Sequence, residues 1–420
     1  MKHIGLYCVN ETGHLNTMLP LGKGLQKKGY QITFFGVPDA ETKIKAANLD
    51  FYPIGADIFP LGSTEALFNK KLSKLKGIPA LQFTINWFYQ SAQIFLEEGA
   101  NALEKTGVEA LIVDQLNPEG GTVAQLLDIP FITVCSALPF NQEPGIPPVF
   151  TPWPYHDSWW ANLRNWLTYK VTNPFGQAGK KLRLKYRQKW QLGAETYTDS
   201  PLAILCHQPA ALDFPRQTLP PHFYYTGPYH TSESRLAVDF PWHKLTGQPL
   251  IYASMGTLQN CLSYVFEAIA GACQGLDAQL VISLGGGSEP DSLPNLPGNP
   301  LVVKYAPQLE LVQKAALTIT HAGMNTTLES LTYGVPMIAI PVTNDQPGIA
   351  ARIAWTGVGE MIALDKLNSD NLRPMIQRVL GEKRYYENAK KLQQAIENSG
   401  GIDQAVTIIE QAIKPISGVQ

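Results

Sequence analysis

The sequence predicts an α/β protein made of two doubly wound domains in tandem, which face each other across a cleft. Short, continuously apolar segments alternate with longer helical segments, as a parallel sheet covered on both faces requires. The alternation stops at a stretch rich in Gly and Pro near the middle of the chain and then starts again. The chain has 420 residues, of which 45% are hydrophobic and 16% are charged, and this suits two well-packed domains.

The first half contains a regular series of strands and helices, which we expect to form one domain over residues 1–225. Its strands are predicted at His3–Val9, Gln31–Val37, Ala110–Val113, Phe131–Val134 and Leu202–Cys206. Its helices are predicted at Met18–Lys28, Ala92–Lys105 and Thr122–Leu127.

The second half repeats the pattern after a connection. Residues Phe223–Pro249 contain Gly-Pro, Asp-Phe-Pro-Trp and Gly-Gln-Pro, which are typical of an interdomain linker and hinge. A second domain is expected over residues 226–400, with a helical segment over 401–420 that could pack on either domain, including back on the first. Strands of the second domain are predicted at Leu250–Ser254, Gln279–Leu284, Leu301–Lys304, Leu317–Thr320 and Met337–Ile340, and the last helix at Gln404–Lys414.

Charge, cysteines and hydropathy narrow the class of protein. The net charge is −2 without a long basic segment, which argues against nucleic acid as a partner. The N-terminal apolar stretch is too short for a signal peptide, and no segment approaches about 18 consecutive apolar residues. We therefore expect a cytoplasmic protein with reduced thiols rather than disulfides or zinc sites. The five cysteines are scattered, at Cys8, Cys135, Cys206, Cys261 and Cys273.

The first half is unusually aromatic around Leu81–Phe95 and Pro147–Val171. These aromatic side chains could form the wall of a site for a bulky apolar molecule. Core packing of an insertion and contact with a membrane surface are the open alternatives. The candidate wall residues are Trp87, Phe88, Phe140 and Trp153.

The densest motif runs from Tyr305 to Gln346, and its centre suits a phosphate site. The strand Leu317–Thr320 ends at His321 and leads into a helix, whose free N–H groups can bind a diphosphate with His321 as a further hydrogen-bond donor. Gly323 lets a ligand approach the backbone, and the helix could be capped by the side chain of Asn325 or Thr326. Glu329 lies about one turn beyond Asn325, where it could accept two ribose hydroxyls.

A second phosphate contact is plausible just past another strand end, at Ser254 and Thr257. Ordinary turn residues are the alternative interpretation of this pair.

A histidine and an aspartate follow two strands of the first half. Strand His3–Val9 leads to His14, placed in the first loop between strand and helix, and Asp114 ends the apolar run that starts at Ala110. A neutral imidazole can take a proton from an alcohol near pH 7, and a carboxylate can fix its tautomer. Taken alone, a surface histidine and a turn or capping aspartate are the safer interpretations.

The segment from Tyr305 to Gln346 resembles the donor-binding signature of the UDP-glycosyltransferase superfamily. It contains aromatic-x-Pro-Gln, then His-x-Gly-x-Asn-Ser/Thr-x-x-Glu, then Gly-Val-Pro and a closing Asp-Gln. The resemblance extends through the N-terminal strand-loop-histidine and Gly227-Pro228, and it looks closer to bacterial carotenoid and macrolide glycosyltransferases than to plant enzymes. It implies the GT-B fold of two Rossmann-like domains and inversion at the anomeric carbon of the sugar.

The resemblance also implies roles for individual residues. His14 would be the general base and Asp114 its partner. Plant members have tryptophan at the position of Tyr305, which leaves the base open between uracil and thymine, whereas Asp345-Gln346 fits glucose. At the nucleotide sugar, Tyr305 would stack on the base, Gln308 would lie beside the nucleoside, His321, Asn325 and Thr326 would bind the diphosphate, Glu329 the ribose, and Asp345 and Gln346 the sugar hydroxyls.

We therefore expect a monomeric transferase that moves a sugar, most simply glucose, from a UDP-sugar to a hydroxyl of a bulky hydrophobic small molecule of the carotenoid, polyketide, sterol or polyphenol type. The chain contains no D-x-D motif, so no metal and no cofactor are expected, and helix N–H groups and His321 must carry the leaving-group charge. A UDP-sugar epimerase of the same fold and a catalytically silent partner protein are the alternatives. A Rossmann oxidoreductase is disfavoured because Gly22, Gly24 and Gly29 do not match G-x-G-x-x-G.

Overall fold

A computed structural model describes residues 3–64, 77–195, 197–230, 238–256, 262–286, 288–293 and 295–414. The strands are β1 His3–Tyr7, β2 Gln31–Gly36, β3 Asp50–Pro53, β4 Ala110–Asp114, β5 Phe131–Cys135, β6 Ile204–Cys206, β7 Phe223–Tyr225, β8 Leu250–Ser254, β9 Gln279–Ser283, β10 Leu301–Val303, β11 Ala315–Thr320, β12 Met337–Ala339 and β13 Gly359–Met361. The helices are α1 Thr12–Lys27, α2 Glu41–Ala46, α3 Gly77–Thr106, α4 Glu119–Leu126, α5 Trp159–Thr172, α6 Gln177–Lys189, α7 Ser263–Cys273, α8 Gln308–Lys314, α9 Met324–Thr332, α10 Gln346–Trp355, α11 Ser369–Gly381, α12 Lys383–Glu397 and α13 Gly401–Ile413.

The strands form two parallel sheets, which confirms the predicted fold class. The first sheet has the order β3-β2-β1-β4-β5-β6-β7 and the second has the order β10-β9-β8-β11-β12-β13. The direction of strand order reverses between β1 and β4 in the first sheet and between β8 and β11 in the second. Ligands of doubly wound folds bind beyond the carboxyl ends of the strands at such a reversal. The ends of these four strands therefore locate the candidate site.

The central strands are apolar along their whole length because both of their faces are covered. Every residue of β1, β4 and β8 is buried. Helix α1 lies close to the first sheet, since a Cβ atom placed on Gly22 would come within 2.7 Å of Leu6 Cδ1. The described cysteines, Cys8, Cys135, Cys206 and Cys273, are buried free thiols, and Cys261 lies outside the described residues.

The last helix returns to the first half of the chain. Ala405, Val406 and Ile409 of α13 are buried in the apolar cluster that also contains β1 and α1. Tyr30 Oη donates to Glu410 Oε1 at 3.2 Å, at the outer edge of the same contact. The end of the chain thus packs against the first sheet although it follows the second.

A buried ion pair joins the two halves. Arg352 of α10 lies with Nη2 2.6 Å from Asp213 Oδ1, and both side chains are almost fully buried. Arg216 Nε binds the other oxygen of Asp213 at 3.0 Å. The N–H of Gly348 donates to the Val149 carbonyl oxygen at 3.0 Å, so α10 is fixed to the first half at two points.

Several predicted boundaries are wrong. Helix α1 begins at Thr12 rather than Met18, with Pro20 inside it, so His14 lies in the first helical turn and not in a loop. The residues before Met18 show no apolar periodicity because Leu15 is the only apolar side chain among them that packs in the core. The sequence did not predict the short edge strands β3, β7 and β13, and β7 lies within the expected linker. β3 and β13 contain Asp50 and Glu360, and β7 lies between Pro221 and Gly227-Pro228, so none of them has the flanked apolar run that predicts the other strands.

Candidate active site

His14 and Asp114 meet beyond β1 and β4, as their positions predict. His14 Nδ1 lies 2.7 Å from Asp114 Oδ2, and the aspartate is fully buried while 15% of the histidine side chain is exposed. The other oxygen of Asp114 accepts from the Leu116 backbone N–H at 2.8 Å. Both carboxylate oxygens therefore have partners, which fixes the plane of the carboxylate beneath the imidazole.

Ser136 is a third member of this cluster that sequence reasoning missed. Its Oγ lies 2.6 Å from His14 Nδ1 and is also hydrogen-bonded to Asp114 Oδ2. Ser136 directly follows β5, the strand next to β4, so its position at the sheet edge was available from the topology. A serine after a strand is otherwise indistinguishable from a turn residue.

The charges around His14 favour its imidazolium form. Burial opposes the charged ring, but Asp114, Glu11 and Asp345 outweigh burial and raise the pKa of His14 above its usual 6.5. Burial likewise opposes the charge on Asp114, and His14 with the hydrogen bonds from Leu116 and Ser136 lowers the pKa of Asp114 below its usual value. Asp114 is thus ionised, and an ionised carboxylate only accepts hydrogen bonds. His14 therefore carries its proton on Nδ1, with the lone pair on Nε2 when the ring is neutral.

Glu11 is a second group that the sequence did not single out. It is the residue before helix α1, and its burial raises its pKa to about 7 although His14 and Lys43 act in the opposite direction. An acidic residue three positions before His14 is the only signal in the sequence. Its charge near neutral pH adds to the potential at the imidazole.

The second half presents the start of α9 to the same cleft. β11 ends at Thr320, and the chain turns through Ala322, which has a left-handed φ of 63°, into the helix. Gly323 is the capping residue, with extended backbone and no side-chain hydrogen bond, so the expected cap by Asn325 or Thr326 is wrong. Both residues lie inside the first turn instead. Without a capping side chain, the first N–H groups of α9 are left to bind an anion.

His321 is held between two glycines. A Cβ atom on Gly256 would lie 2.6 Å from His321 Cε1, and one on Gly323 would lie 2.5 Å from Nε2. Burial lowers the pKa of His321 to about 4, against a smaller opposite effect of the Ser254 backbone. His321 is therefore a neutral hydrogen-bond donor at pH 7.

Ser254 and Thr257 were the second predicted phosphate contact. Ser254 ends β8 directly beside the end of β11, opposite Thr320 in the register. Its side chain is buried, and its Oγ accepts from the Gly256 backbone N–H at 3.4 Å. Thr257 lies outside the described residues.

The expected nucleoside contacts surround the start of α8. Half of the Tyr305 side chain is exposed, and its ring lies against Gly286, where a Cβ atom would overlap the hydroxyl. Gln308 accepts from Tyr252 Oη at 3.0 Å and donates to Glu329 Oε2 at 2.5 Å and to Thr326 Oγ1 at 3.2 Å. Glu329 is fully buried under this amide, so a ribose hydroxyl reaches Glu329 only if the Gln308 amide moves aside.

The two halves touch at the cleft itself. Asn325 Nδ2 donates to the Gly13 carbonyl oxygen at 2.8 Å, and the Leu138 N–H donates to Asp345 Oδ2 at 3.3 Å. Burial raises the pKa of Asp345, although Leu138 and His14 lower it. Gln346 accepts from the N–H groups of Val342 and Thr343, at 2.9 and 3.0 Å, so its amide oxygen is already used.

The aromatic residues of the first half are not one continuous wall. Trp87 is 4% exposed, packs on Phe59 and lines a cavity of about 20 Å³ beyond β1, and Phe88 packs against the same cluster. The Trp153 ring is covered by the Arg164 guanidinium at 4.2 Å. Phe140 is exposed and lies two residues after Leu138, so it is the candidate closest in sequence to the cleft contact with Asp345.

Within the part of the chain that the structure describes, no cluster of three or more His, Cys, Asp and Glu side chains could hold a metal ion.

Comparison with known proteins supplies the family. The family described as UDP-glucoronosyl and UDP-glucosyl transferase matches residues 176–414. Zeaxanthin glucosyltransferase of Pantoea ananas is 30% identical over 98% of this chain and 96% of its own length. The zeaxanthin glucosyltransferase of Pseudescherichia vulneris is 29% identical over 98% of each chain. The calicheamicin glycosyltransferase CalG4 has the same fold, with a TM-score of 0.76 over 100% of both chains at 19% identity. The predicted family and the two-domain GT-B fold are confirmed, and the chain belongs to the UDP-glucoronosyl and UDP-glucosyl transferase family.

Proposed function

We propose that this glycosyltransferase moves glucose from UDP-glucose to a hydroxyl of a bulky apolar small molecule, with inversion and without a metal ion. One observation carries the proposal: the His14–Asp114 pair, at 2.7 Å, lies in the cleft where α9 contacts Gly13 through Asn325. A base on one domain thus faces a diphosphate site on the other. Two relatives bear the name zeaxanthin glucosyltransferase, which supports both the sugar and an acceptor with a long apolar body.

The base step follows from the tautomer of His14. Its Nε2 takes the proton of the acceptor hydroxyl while the oxygen forms a bond to the anomeric carbon. The bond from that carbon to the diphosphate oxygen breaks, and the diphosphate leaves with the electron pair. Asp114 stabilises the imidazolium that results, as an oriented carboxylate does in other His–Asp pairs. Attack from the face opposite the leaving group inverts the anomeric centre.

The leaving diphosphate is stabilised by hydrogen-bond donors of the protein. The uncapped start of α9 offers backbone N–H groups, and neutral His321 offers one ring N–H. Asn325 has two amide hydrogens, so one can bond to Gly13 while the other bonds to the diphosphate. These donors supply the charge stabilisation that many other sugar transferases obtain from a divalent cation.

The remaining contacts follow the order of the nucleotide sugar. Tyr305 stacks on the base above Gly286, and the ribose displaces the Gln308 amide from Glu329. Asp345 accepts from the glucose hydroxyls and Gln346 donates its amide hydrogens, since its amide oxygen is bonded to the backbone. The acceptor enters past Phe140.

The test is turnover of UDP-glucose with a panel of apolar alcohols, including a carotenoid diol, in the presence of a chelator. We expect UDP release that depends on the acceptor, a glucoside with the inverted anomeric configuration by proton NMR, and a loss of about 10²–10⁴-fold in His14→Ala. His243→Ala is the matched control. His243 is an exposed histidine that is not among the proposed site residues at the ends of β1 and β4, so this variant should keep full activity.

Other outcomes assign the chain differently. Isomerisation of UDP-glucose without an acceptor would indicate an epimerase. Tight UDP binding without turnover on any acceptor would indicate a silent partner protein, and dependence on added divalent cation would overturn the metal-free step.

A further inference from the structure

Helix α5 exposes a row of large apolar side chains. They are between 46% and 77% exposed. At about 100° per residue they fall within roughly 140° of the helix circumference, so they form one face. The members of this face are Trp159, Trp160, Leu163, Trp166, Leu167 and Val171. A contiguous apolar face of three tryptophans on a protein surface marks a site of contact with something else.

The opposite face of α5 is fixed to the protein. Ala161 and Asn165 are buried, and Asn165 Nδ2 donates to the Pro144 carbonyl oxygen at 2.9 Å. Tyr169 Oη donates to the Ile146 carbonyl oxygen at 3.0 Å. The helix is therefore held with its apolar face outward, and this outward face is a stable feature of the fold rather than a frayed end.

The segment that carries this face is rich in positive charge. Residues 159–189 contain eight Lys and Arg and no Asp or Glu, in a chain whose net charge is −2. Arg183 and Arg187 are buried and bonded to Glu195 and Gly193. Lys170, Lys180 and Lys181 are exposed, and Lys170 Nζ lies 5.6 Å from the ring centre of Trp166. At 100° per residue Lys170 lies on the apolar face itself, near the C-terminal end of α5, and the exposed lysines of α6 follow it in the chain.

We propose that the exposed face of α5, with Lys170 and the lysines at the start of α6, docks on an anionic lipid bilayer. Tryptophan and leucine side chains suit the boundary between headgroups and acyl chains, and lysines bind lipid phosphates. The contact is peripheral, because no helix among the described residues has the length and apolarity to cross a bilayer. A second copy of the chain fits less well, since a two-fold contact would bring the two copies of Lys170 towards each other.

Docking in this way orients the cleft. Helix α5 donates hydrogen bonds to the carbonyl oxygens of Pro144 and Ile146. The same segment of chain begins at Leu138, whose N–H donates to Asp345 Oδ2 beside the proposed base. The acceptor side of the cleft would therefore lie near the bilayer, where apolar acceptors dissolve. This orientation rests on the proposed function, whereas the docking surface does not.

Vesicle binding tests the docking surface without using catalysis. The probes are vesicles of pure phosphatidylcholine and vesicles with added phosphatidylglycerol, read out by co-sedimentation and by quenching of tryptophan fluorescence with brominated lipid. We expect the protein to bind the anionic vesicles, and Trp159→Ser/Leu163→Ser/Trp166→Ser to bind at least about tenfold more weakly. Lys170→Gln/Lys180→Gln/Lys181→Gln should lose the preference for anionic lipid.

Matched variants control for general surface effects. Leu61→Ser/Trp242→Ser/Tyr386→Ser changes three side chains that are 41% to 76% exposed elsewhere on the protein and should bind like the wild type. The triple variant Lys314→Gln/Lys366→Gln/Lys383→Gln removes three exposed lysines elsewhere on the protein and should also bind like the wild type. The proposal is overturned if the wild type stays in solution with anionic vesicles at low salt, if the α5 variant binds normally, or if that variant instead abolishes self-association in sedimentation velocity. Loss of glucosyl transfer with intact vesicle binding would count against the proposed function alone.

Discussion

Asn325 donates its side-chain Nδ2 to the carbonyl oxygen of Gly13 at 2.8 Å, which joins the first turn of α9 to the residue before His14. The two residues are 312 positions apart in the chain. The start of the diphosphate site and the start of the helix that carries the proposed base are therefore held in one arrangement. A change in the packing of one domain on the other would change the position of the base relative to the diphosphate site, which is how domain closure can align a base with a sugar.

Asn325→Asp should disrupt this arrangement more than Asn325→Ala. A carboxylate would place negative charge against the Gly13 carbonyl and against the diphosphate, whereas alanine only removes the hydrogen bonds. We expect kcat/KM to fall about 100-fold for the aspartate variant and about tenfold for alanine. Steady-state kinetics and UDP calorimetry measure the two effects, and equal losses in both variants would exclude charge repulsion as the cause.

The pH dependence of kcat/KM should report the His14–Asp114 pair. His14 acts as a base only when neutral, and its pKa is raised above 6.5, so the acid limb of the profile should lie above pH 6.5. Asp114→Asn removes the nearest negative charge, so the limb should move to lower pH while the plateau falls about 10²–10⁴-fold. Profiles from pH 5 to 9 test this.

His321→Gln is the control for that profile. Because burial lowers the pKa of His321 to about 4, this residue does not titrate within the measured range. The variant should weaken the use of UDP-glucose without moving the limb. A limb that moves in His321→Gln but stays in Asp114→Asn would reverse the two assignments.

The His14–Asp114 pair could be predicted because both residues follow parallel strands and because the family resemblance assigns them to one pair. β1 and β4 are apolar along their length, and polar residues that follow neighbouring parallel strands share one sheet edge. The turn between β11 and α9 could also be predicted, because the strand, the glycine and the start of the helix follow one another in one short segment.

Contacts between distant segments could not be predicted in this way. Nothing near Gly256 in the sequence indicates that the His321 ring lies against it, and nothing near α13 indicates that it packs on α1. Local periodicity shows that a face is buried, but the partner of that face is decided by the packing of the whole chain. For the same reason, the contact of Ser136 with His14 and the burial of Trp87 were not predicted.

Gly256→Ala should weaken the nucleotide-sugar site through His321. Gly256 has a φ of 74°, and a Cβ atom there would lie 2.6 Å from the His321 ring, which Gly323 confines on its other side, so the ring must leave its present position at the start of α9. We expect KM for UDP-glucose to rise about tenfold, through the loss of one hydrogen bond to a charged group.

Gly275→Ala separates the ring displacement from backbone strain. Gly275 has nearly the same φ, 73°, but no atom lies within 4 Å of its added Cβ. Each variant should lose about 1 kcal/mol of stability to backbone strain, because alanine is strained at positive φ, and Gly256→Ala should lose more because the His321 ring must also move. Only Gly256→Ala should raise KM, and an equal rise in Gly275→Ala would assign the effect to strain.

Asp213 should be the most costly charged residue to neutralise. Burial raises its pKa, but Arg352 and Arg216 outweigh burial and keep the carboxylate ionised. Asp213→Asn would leave the buried Arg352 guanidinium without its anion, while Arg216 would keep only Glu143, at 3.7 Å, so we expect a loss of about 3–5 kcal/mol in the free energy of unfolding. Arg352→Met should cost less, since Asp213 would still pair with Arg216 and accept from Tyr225 Oη at 2.8 Å. Glu41→Gln, in the exposed Lys45–Glu41 pair, should change stability by less than about 0.5 kcal/mol. Urea unfolding followed by circular dichroism measures all three, and a cost for Arg352→Met above that for Asp213→Asn would show that the arginine, not the shared carboxylate, organises this contact between the two halves.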